Sequence, residues 1–184
     1  GSHTSLRFSP GVVLRKTNEA GGFSHVLINA GASNKTWDED IEVVGLNLQV
    51  NKVDVRAFKE AYGLHGQVAF HYIKNLRIRD FRCEDLGAAQ YGIQICTFEN
   101  IRVEDVTIYG AKDGVHLGRG KGFLIRGGHF RTGDDAVALN AHDYAVGNPE
   151  LGWIEDGVVE DCIDLPTEPR VGYFCRILAG AWRD

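Results

Sequence analysis

The sequence predicts an all-β chain wound as a right-handed parallel β-helix, and three observations carry that prediction. First, a short unit recurs: DGVHL at residues 113–117 returns as DAVAL at residues 135–139 (135 − 113 = 22), and YGIQI at residues 91–95 precedes it at the same interval (113 − 91 = 22). Second, another series runs between these copies. NLRIRDF at residues 75–81 resembles NIRVEDV at residues 100–106, followed by FLIRGGHF at residues 123–130 and, more weakly, DGVVEDC at residues 156–162. Third, apolar residues alternate with polar ones, glycine is frequent (23 of 184 residues), and no long stretch shows a helical period. Periods of 20–50 residues mark solenoids, and period-two alternation assigns strands rather than helices to the repeat. A leucine-rich repeat fits poorly, because its Leu/Asn consensus and its second, helical half are missing; a helical repeat fits worse.

Taken in order, Gly1, Ser2 and His3 read as a tag-cleavage remnant, and residues 4–184 as one domain. The first coils hold strands at residues 11–15 and 25–29, with turn-rich sequence at residues 17–22 and 31–35. Residues 41–51, IEVVGLNLQVN, alternate throughout and read as one strand. A loop insertion is expected near residues 52–66, where VDVRAFKEAYG at residues 53–63 is the one short stretch with helical character. A second insertion, residues 142–153, is rich in Gly, Asn and Pro and leaves the coil directly after the acidic segment, where such loops form groove walls. Residues 173–179 are apolar and read as a core strand with no polar cap behind it, whereas a solenoid end normally carries one. The reading is therefore a β-helix truncated at its C-terminus, or one that buries this end against a second copy by end-to-end self-association.

Stacking gives the repeat a chemical consequence. Equivalent strands of successive coils lie about 4.8 Å apart, so Gln94, His116 and Ala138 form one expected outward row, and Tyr91, Asp113 and Asp135 another at the turn edge. Asp113, Asp134 and Asp135 then share one small volume. Like charges that close raise the pKa of one partner, and a proton-sharing carboxylate cluster suits acid/base hydrolysis. The plainer alternative is that these aspartates cap backbone N–H groups at turns. His116 on its strand and His142 at the start of the insertion are candidate acid/base or substrate-binding groups, or ordinary surface histidines. Arg119 and Lys121, with Arg126 and Arg131, could bind an acidic sugar polymer or form a solvated face. Tyr91 and Tyr144 could stack on sugar rings, and Asn140 closes the strand after Asp135. Arg77, Arg79 and Arg102 opposite Glu104 read as a cross-strand ion-pair ladder.

Composition excludes several classes. The formal net charge is −5 with no basic block, which argues against a nucleic-acid partner. No segment reaches transmembrane length, so no membrane partner is expected. The four cysteines, Cys83, Cys96, Cys162 and Cys175, lack CxxC spacing, which argues against a zinc site. Both pairs stand 13 apart (83 to 96, 162 to 175), an interval read here as aligned places in two coils, either as free thiols filling the core or as a disulfide.

The acidic segments resemble the parallel β-helix polygalacturonases of glycoside hydrolase family 28, within the pectin lyase-like superfamily. That family carries Asn-Thr-Asp-Gly and, about one coil later, Gly/Gln-Asp-Asp before a strand ending in Asn. This chain has Ala111-Lys112-Asp113-Gly114 and Gly133-Asp134-Asp135, then a strand ending at Asn140. The resemblance implies that Asp113, Asp134 and Asp135 match the catalytic aspartates, one protonating the leaving oxygen and the others activating water. It implies a polysaccharide substrate, pectic or otherwise uronic, no cofactor, and a secreted or periplasmic location. The departures are specific. Ala111-Lys112 replaces Asn-Thr, His116 replaces a second acid, residues 171–175 (VGYFC) stand where Gly-His-Gly is expected, and Arg176-Ile177-Leu178 lies too early for the family's Arg-Ile-Lys. Two alternatives stay open: a lyase in which the clustered aspartates hold Ca²⁺, and a non-catalytic solenoid that binds glycans.

Overall fold

The computed structural model describes residues 1–17, 25–50, 61–142 and 147–179. The chain advances coil by coil, its strands stacking on three faces. The first described coil holds β1 (Thr4–Arg7) and β2 (Leu14–Arg15), and the second β3 (Leu27–Ile28), β4 (Asp38–Val44) and β5 (Asn47–Gln49). Next come β6 (Gly66–Arg79) with β7 (Arg82–Leu86), then β8 (Tyr91–Glu104) with β9 (Thr107–Gly110). β10 (Val115–Leu117), β11 (Gly120–Arg126) and β12 (His129–Thr132) form another coil; β13 (Val137–Asn140), β14 (Ile154–Glu160) and β15 (Ile163–Asp164) the next; β16 (Cys175–Leu178) follows. Every ladder between these strands is parallel. The fold is all-β, built of parallel sheets, and compatible with a β-solenoid.

One sheet carries two faces, because β6 and β8 each turn a corner within their length. β3, the first half of β6, the first half of β8, β10, β13 and β16 stack as the first face; β1, β4, the second halves of β6 and β8, β11 and β14 stack as the second. The third face is the six-stranded sheet β2-β5-β7-β9-β12-β15. The 22-residue repeat is the coil itself: Ile93, Val115 and Val137 are direct register partners. The inward rows meet in one core, in which Val68, Ile93, Val115 and Val137 from the first face join Leu76, Ile101 and Ile125 from the second and Leu48, Ile108 and Phe130 from the third. Each such fully buried side chain contributes about 1.5–3 kcal/mol.

The second series of the repeat is explained by its corners. Asp40, Asn75, Asn100, Gly122 and Asp156 all have φ between 52° and 72°, and so do Asp80, Asp105, Gly127 and Asp161 at the next corner, with Gly45 at 75°. A left-handed residue recurs once per coil at these two positions, and the bend between the first and second faces carries Tyr72 and Thr97 at 58° and 51°. Gly, Asn and Asp are the types that tolerate it, the last two through local side-chain hydrogen bonds. At the first corner the side chains also bond between coils: Asn75 donates to Asp40 at 2.9 Å and Asn100 donates to Asn75 at 2.8 Å.

Several expectations need correction. Residues 41–51 are not one strand: Gly45 in the left-handed region breaks them into β4 on the second face and β5 on the third. The 13-residue cysteine interval does not align coils; it is about half a turn, placing Cys83 on the third face and Cys96 on the first. All four thiols are free, Cys83 and Cys96 buried, Cys162 and Cys175 half-buried. Burial pushes the Cys83 thiol up to about 12 and the Cys96 thiol up to about 11, so both are inert packing groups. The expected core strand near the end forms as β16, but its Ile177 is 74 % exposed. Residues 53–60 lie outside the described residues; Ala61 and Leu64 bridge across a turn there. Among the described residues no helix is long and apolar enough to cross a membrane.

Candidate active site

The register places Asp113 and Asp135 at equivalent positions, each just before its first-face strand, and Gly114 N–H donates to the Asp135 carbonyl at 2.9 Å. Gly114 is dictated by this packing. A Cβ there would stand 2.6 Å from the Ala136 carbonyl oxygen and 2.7 Å from the Phe130 ring. Asp134 precedes Asp135 at the turn, and the three carboxylates present oxygens all within 4.8 Å of one another.

Two of the three are buried. Asp113 accepts from the Asp135 backbone N–H at 3.3 Å through Oδ1, while Oδ2 stands 2.7 Å from Nδ1 of His116. Asp135 accepts from the Tyr173 N–H at 2.8 Å through Oδ1, and Oδ2 faces Nε of Arg176 at 3.2 Å. Asp134 is the partly exposed member and pairs with Nζ of Lys112. Burial pushes the Asp135 carboxyl above its ordinary value; the charge of Asp113 adds to this, against the Tyr173 N–H and Arg176. The cluster is thus a set of carboxylates with unequal environments, one biased towards its protonated form and one held by a cation. Such a difference is what separates an acid from a base. The same oxygens could hold a divalent cation, as could a ring nitrogen of His3 with carboxylate oxygens of Glu39 and Asp40 among the described residues.

The other predicted residues divide into two groups. Tyr91 and His116 join the cluster: their rings stack at 4.0 Å with planes 11° apart. The row Gln94–His116–Ala138 forms as expected, but it is buried rather than outward to water: Gly147 and Asn148 roof Gln94, and the Tyr91 ring stacks on His116. Gln94 donates to the Gly147 carbonyl at 2.9 Å and to Asn148 at 3.1 Å, and Asn148 donates to the Asn140 carbonyl at 3.0 Å. Asn140 is linked to the cluster through Arg176, whose Nε also lies 3.4 Å from its Oδ1.

Arg119, Lys121 and His142 do not meet the aspartates. They follow the first-face strands at the opposite end, six or more residues along an extended chain, about 20 Å away. Arg119 faces Glu150 at 3.7 Å, Lys121 faces Asp156 at 3.3 Å, and the backbone N–H of His142 donates to the Leu178 carbonyl at 3.3 Å. Of the expected ladder, Arg77 pairs with Glu104 at 3.1 Å, whereas Arg79 turns to Asp80 at 3.3 Å and Arg102 is the register neighbour of Arg77; the second cation on Glu104 is Arg126, at 2.6 Å. Tyr144 lies outside the described residues.

Sequence reasoning missed three participants. Lys112 and Arg176 were counted as departures from a pattern, yet they are the cations of the cluster. Glu150 ties the roof to the sheet: it accepts from Lys35 at 2.9 Å, Tyr72 at 2.8 Å and Thr97 at 2.8 Å, with His71 at 3.8 Å. Burial alone would raise its carboxyl, but these donors bring it down to about 2.

No family model and no curated protein sequence matches the chain. Among solved structures it is similar to a protein of Parabacteroides merdae ATCC 43184 provisionally named a glycosyl hydrolase, with 10 % sequence identity, a TM-score of 0.56, and coverage of 86 % of this chain and 74 % of that one. At that identity the likeness is one of fold.

Proposed function

We propose that the chain is a right-handed parallel β-helix of polygalacturonase-like ancestry that hydrolyses glycosidic bonds in a polysaccharide, with Asp113, Asp134 and Asp135 as its acid/base groups. The observation that supports this most is the convergence of three carboxylates from adjacent coils within 4.8 Å, one of them biased towards its protonated form. Asp135 donates its proton to the leaving glycosidic oxygen as the bond to the anomeric carbon breaks. A water attacks that carbon and gives its proton to the Asp134 carboxylate. His116 fixes the Asp113 carboxylate beside them. Asp135 is fully buried and Asp134 is partly exposed, so in this reading the substrate enters from the Asp134 side. The name of the Parabacteroides merdae neighbour is in keeping with this reading.

A second reading has its own observation. Asp113 and Asp135 each give one oxygen to a backbone N–H, that of Asp135 on the next coil and that of Tyr173 on the one after. That is a structural ladder, and it favours a solenoid that binds glycans without cleaving them. Reducing-sugar release from a panel of plant and microbial polysaccharides decides between the two. Release by the wild type, lost in both Asp134→Asn and Asp135→Asn, establishes the hydrolase; absence of release across the panel, with glycan retained, establishes the binder. An unsaturated product absorbing in the ultraviolet would reassign the chemistry to elimination.

A further inference from the structure

A second feature of the surface is built without reference to the acidic cluster. The register partners Asp38, Ile73, Phe98, Gly120 and Ile154 lie on five successive coils of the second face. The residues just before them therefore also align: Trp37, Tyr72, Thr97, Arg119 and Trp153 form one row along the stack. The residues just after align too, and here the sequence alternates in sign: Glu39, Lys74, Glu99, Lys121, Glu155. Between the rows runs a groove of about 490 Å³, with Phe98 and Gly120 in its floor and Trp37 and Trp153 among its lining residues. Gly120 is required by the packing beneath the groove, since a Cβ there would stand 2.4 Å from the buried Phe98 ring. Four coil steps of about 4.8 Å separate the backbones of the two tryptophans, about 19 Å along the axis.

The tryptophans have little to do with holding the fold. Trp153 is 65 % exposed and Trp37 is 40 % exposed, whereas the core is closed by Phe and aliphatic side chains. Trp37 is held in place by the Tyr72 ring at 5.4 Å and by the Lys74 ammonium over its face at 4.6 Å. Trp153 is fixed through its backbone, whose carbonyl accepts from Gly120 N–H at 2.9 Å. An indole presents a broad, electron-rich face, and a pyranose ring presents a face of C–H groups that lies flat on it. Rigid aromatic platforms flanked by polar side chains are the lining of a ligand groove rather than of a bare apolar patch.

The charges decide the class of ligand. Arg119 and Lys121 are matched in the lining by Glu99 and Glu155. The cations are also engaged: Lys74 with Glu99 at 3.0 Å, Lys121 with Asp156 at 3.3 Å, Arg119 with Glu150 at 3.7 Å. A polyuronate would meet two carboxylates and no surplus of positive charge, while the hydroxyls of a neutral sugar find donors and acceptors alternately along the groove.

We propose that this groove binds an extended, neutral oligosaccharide running along the axis of the stack, with Trp37 and Trp153 as its stacking platforms. The proposal does not rest on the hydrolase reading, because the groove lies at the far end of the first-face strands from Asp113, Asp134 and Asp135.

The test is isothermal titration of the full chain with hexasaccharides of β-1,4-linked glucose, xylose and mannose, and with a galacturonate hexamer as the acidic probe. Binding of at least one neutral hexamer is expected, weakened tenfold or more in Trp153→Ala and in Trp37→Ala and retained in Asp134→Asn. Circular dichroism confirms that each variant is folded, and Trp153→Phe, which keeps a ring, recovers part of the affinity. Three results would overturn the proposal: no binding of any neutral hexamer, binding indifferent to both tryptophan substitutions, or tighter binding of the galacturonate hexamer. Loss of polysaccharide hydrolysis in Asp134→Asn with neutral-glycan binding intact would separate the two sites; binding lost in Asp134→Asn but kept in Trp153→Ala would place the glycan at the acidic cluster instead.

Discussion

Nδ1 of His116 stands 2.7 Å from Oδ2 of Asp113, and both side chains are almost wholly buried. The carboxylate has left water, and this nitrogen and the Asp135 N–H are what replace the solvent. His116→Ala would leave one oxygen of Asp113 without its partner. A loss of about 3 kcal/mol is expected from breaking such a buried pair, read as a drop in urea midpoint with an unchanged slope. Asp113→Asn, which can still accept from the Asp135 N–H, should cost less.

Asp135 carries the pH dependence of the proposed chemistry. Its folded-state pKa is raised above the ordinary 3.8, mainly by burial. The protonated form is therefore the one the fold favours. The stability linked to this group is fully present below the ordinary carboxylate value and is lost as pH rises through the folded value. Its capacity to donate a proton falls over that same upward limb. Hydrolysis by the wild type should decline as pH rises past the Asp135 titration, and Asp135→Asn should lower the rate by roughly 10²–10⁴-fold. A pH–rate profile against soluble polysaccharide checks both; a rate that increases steadily with pH would contradict the assignment of Asp135 as the acid.

Glu150 titrates in the opposite sense. Its carboxyl is held at about 2, below its ordinary 4.5, by Lys35, Tyr72 and Thr97 against the effect of burial. The stability it contributes is present above the ordinary value and is lost as pH falls through about 2. Glu150→Gln should destabilise the chain at pH 7 by about 1–2 kcal/mol, discounted because Lys35 is exposed and screened. The difference from wild type should shrink as the pH falls below 4.5. Thermal unfolding at several pH values measures this.

The corner ladder predicts a sharp contrast between two substitutions at one position. Asn75 has φ of 52° and bonds to Asp40 on one side and Asn100 on the other. Asn75→Ala puts a residue without a compensating side-chain bond into the left-handed region, at a cost of about 1–2 kcal/mol. Asn75→Gly loses the same hydrogen bonds but not the conformation, and should cost less than half as much. Denaturant midpoints for the pair separate backbone preference from the side-chain ladder.

Much of the fold was legible because the corners demand particular residue types. Asn75 with Asn100, and Asp80 with Asp105, recur since only a few side chains sit comfortably at φ near 50°. The acidic cluster was legible for a different reason: its coil keeps the interval of 22 residues. The break at Gly45 was not legible, because apolar alternation continues across the corner although the chain changes face. Arg176 was passed over because Asp135 and Tyr173 are aligned across an interval of 38 (173 − 135), in which insertions hide the register. The tryptophan row is spaced still less evenly, at 35, 25, 22 and 34 residues (37 to 72, 97, 119 and 153), so no fixed-period comparison brings its members together. The burial of Gln94 depends on a roof contributed by a segment more than fifty residues later (94 to 147 and 148), which no local pattern encodes.

The alternation of Glu39, Lys74, Glu99, Lys121 and Glu155 has a period of two coils, not one. Duplicating or deleting a single coil in this stretch would set two like charges side by side, which is destabilising. Duplicating or deleting two would restore the sequence of signs. The ladder therefore acts as a parity check on the molecule: growth of this stretch by internal duplication is favoured in even steps, and a chain that skipped one coil during folding would meet like-charge repulsion at the junction.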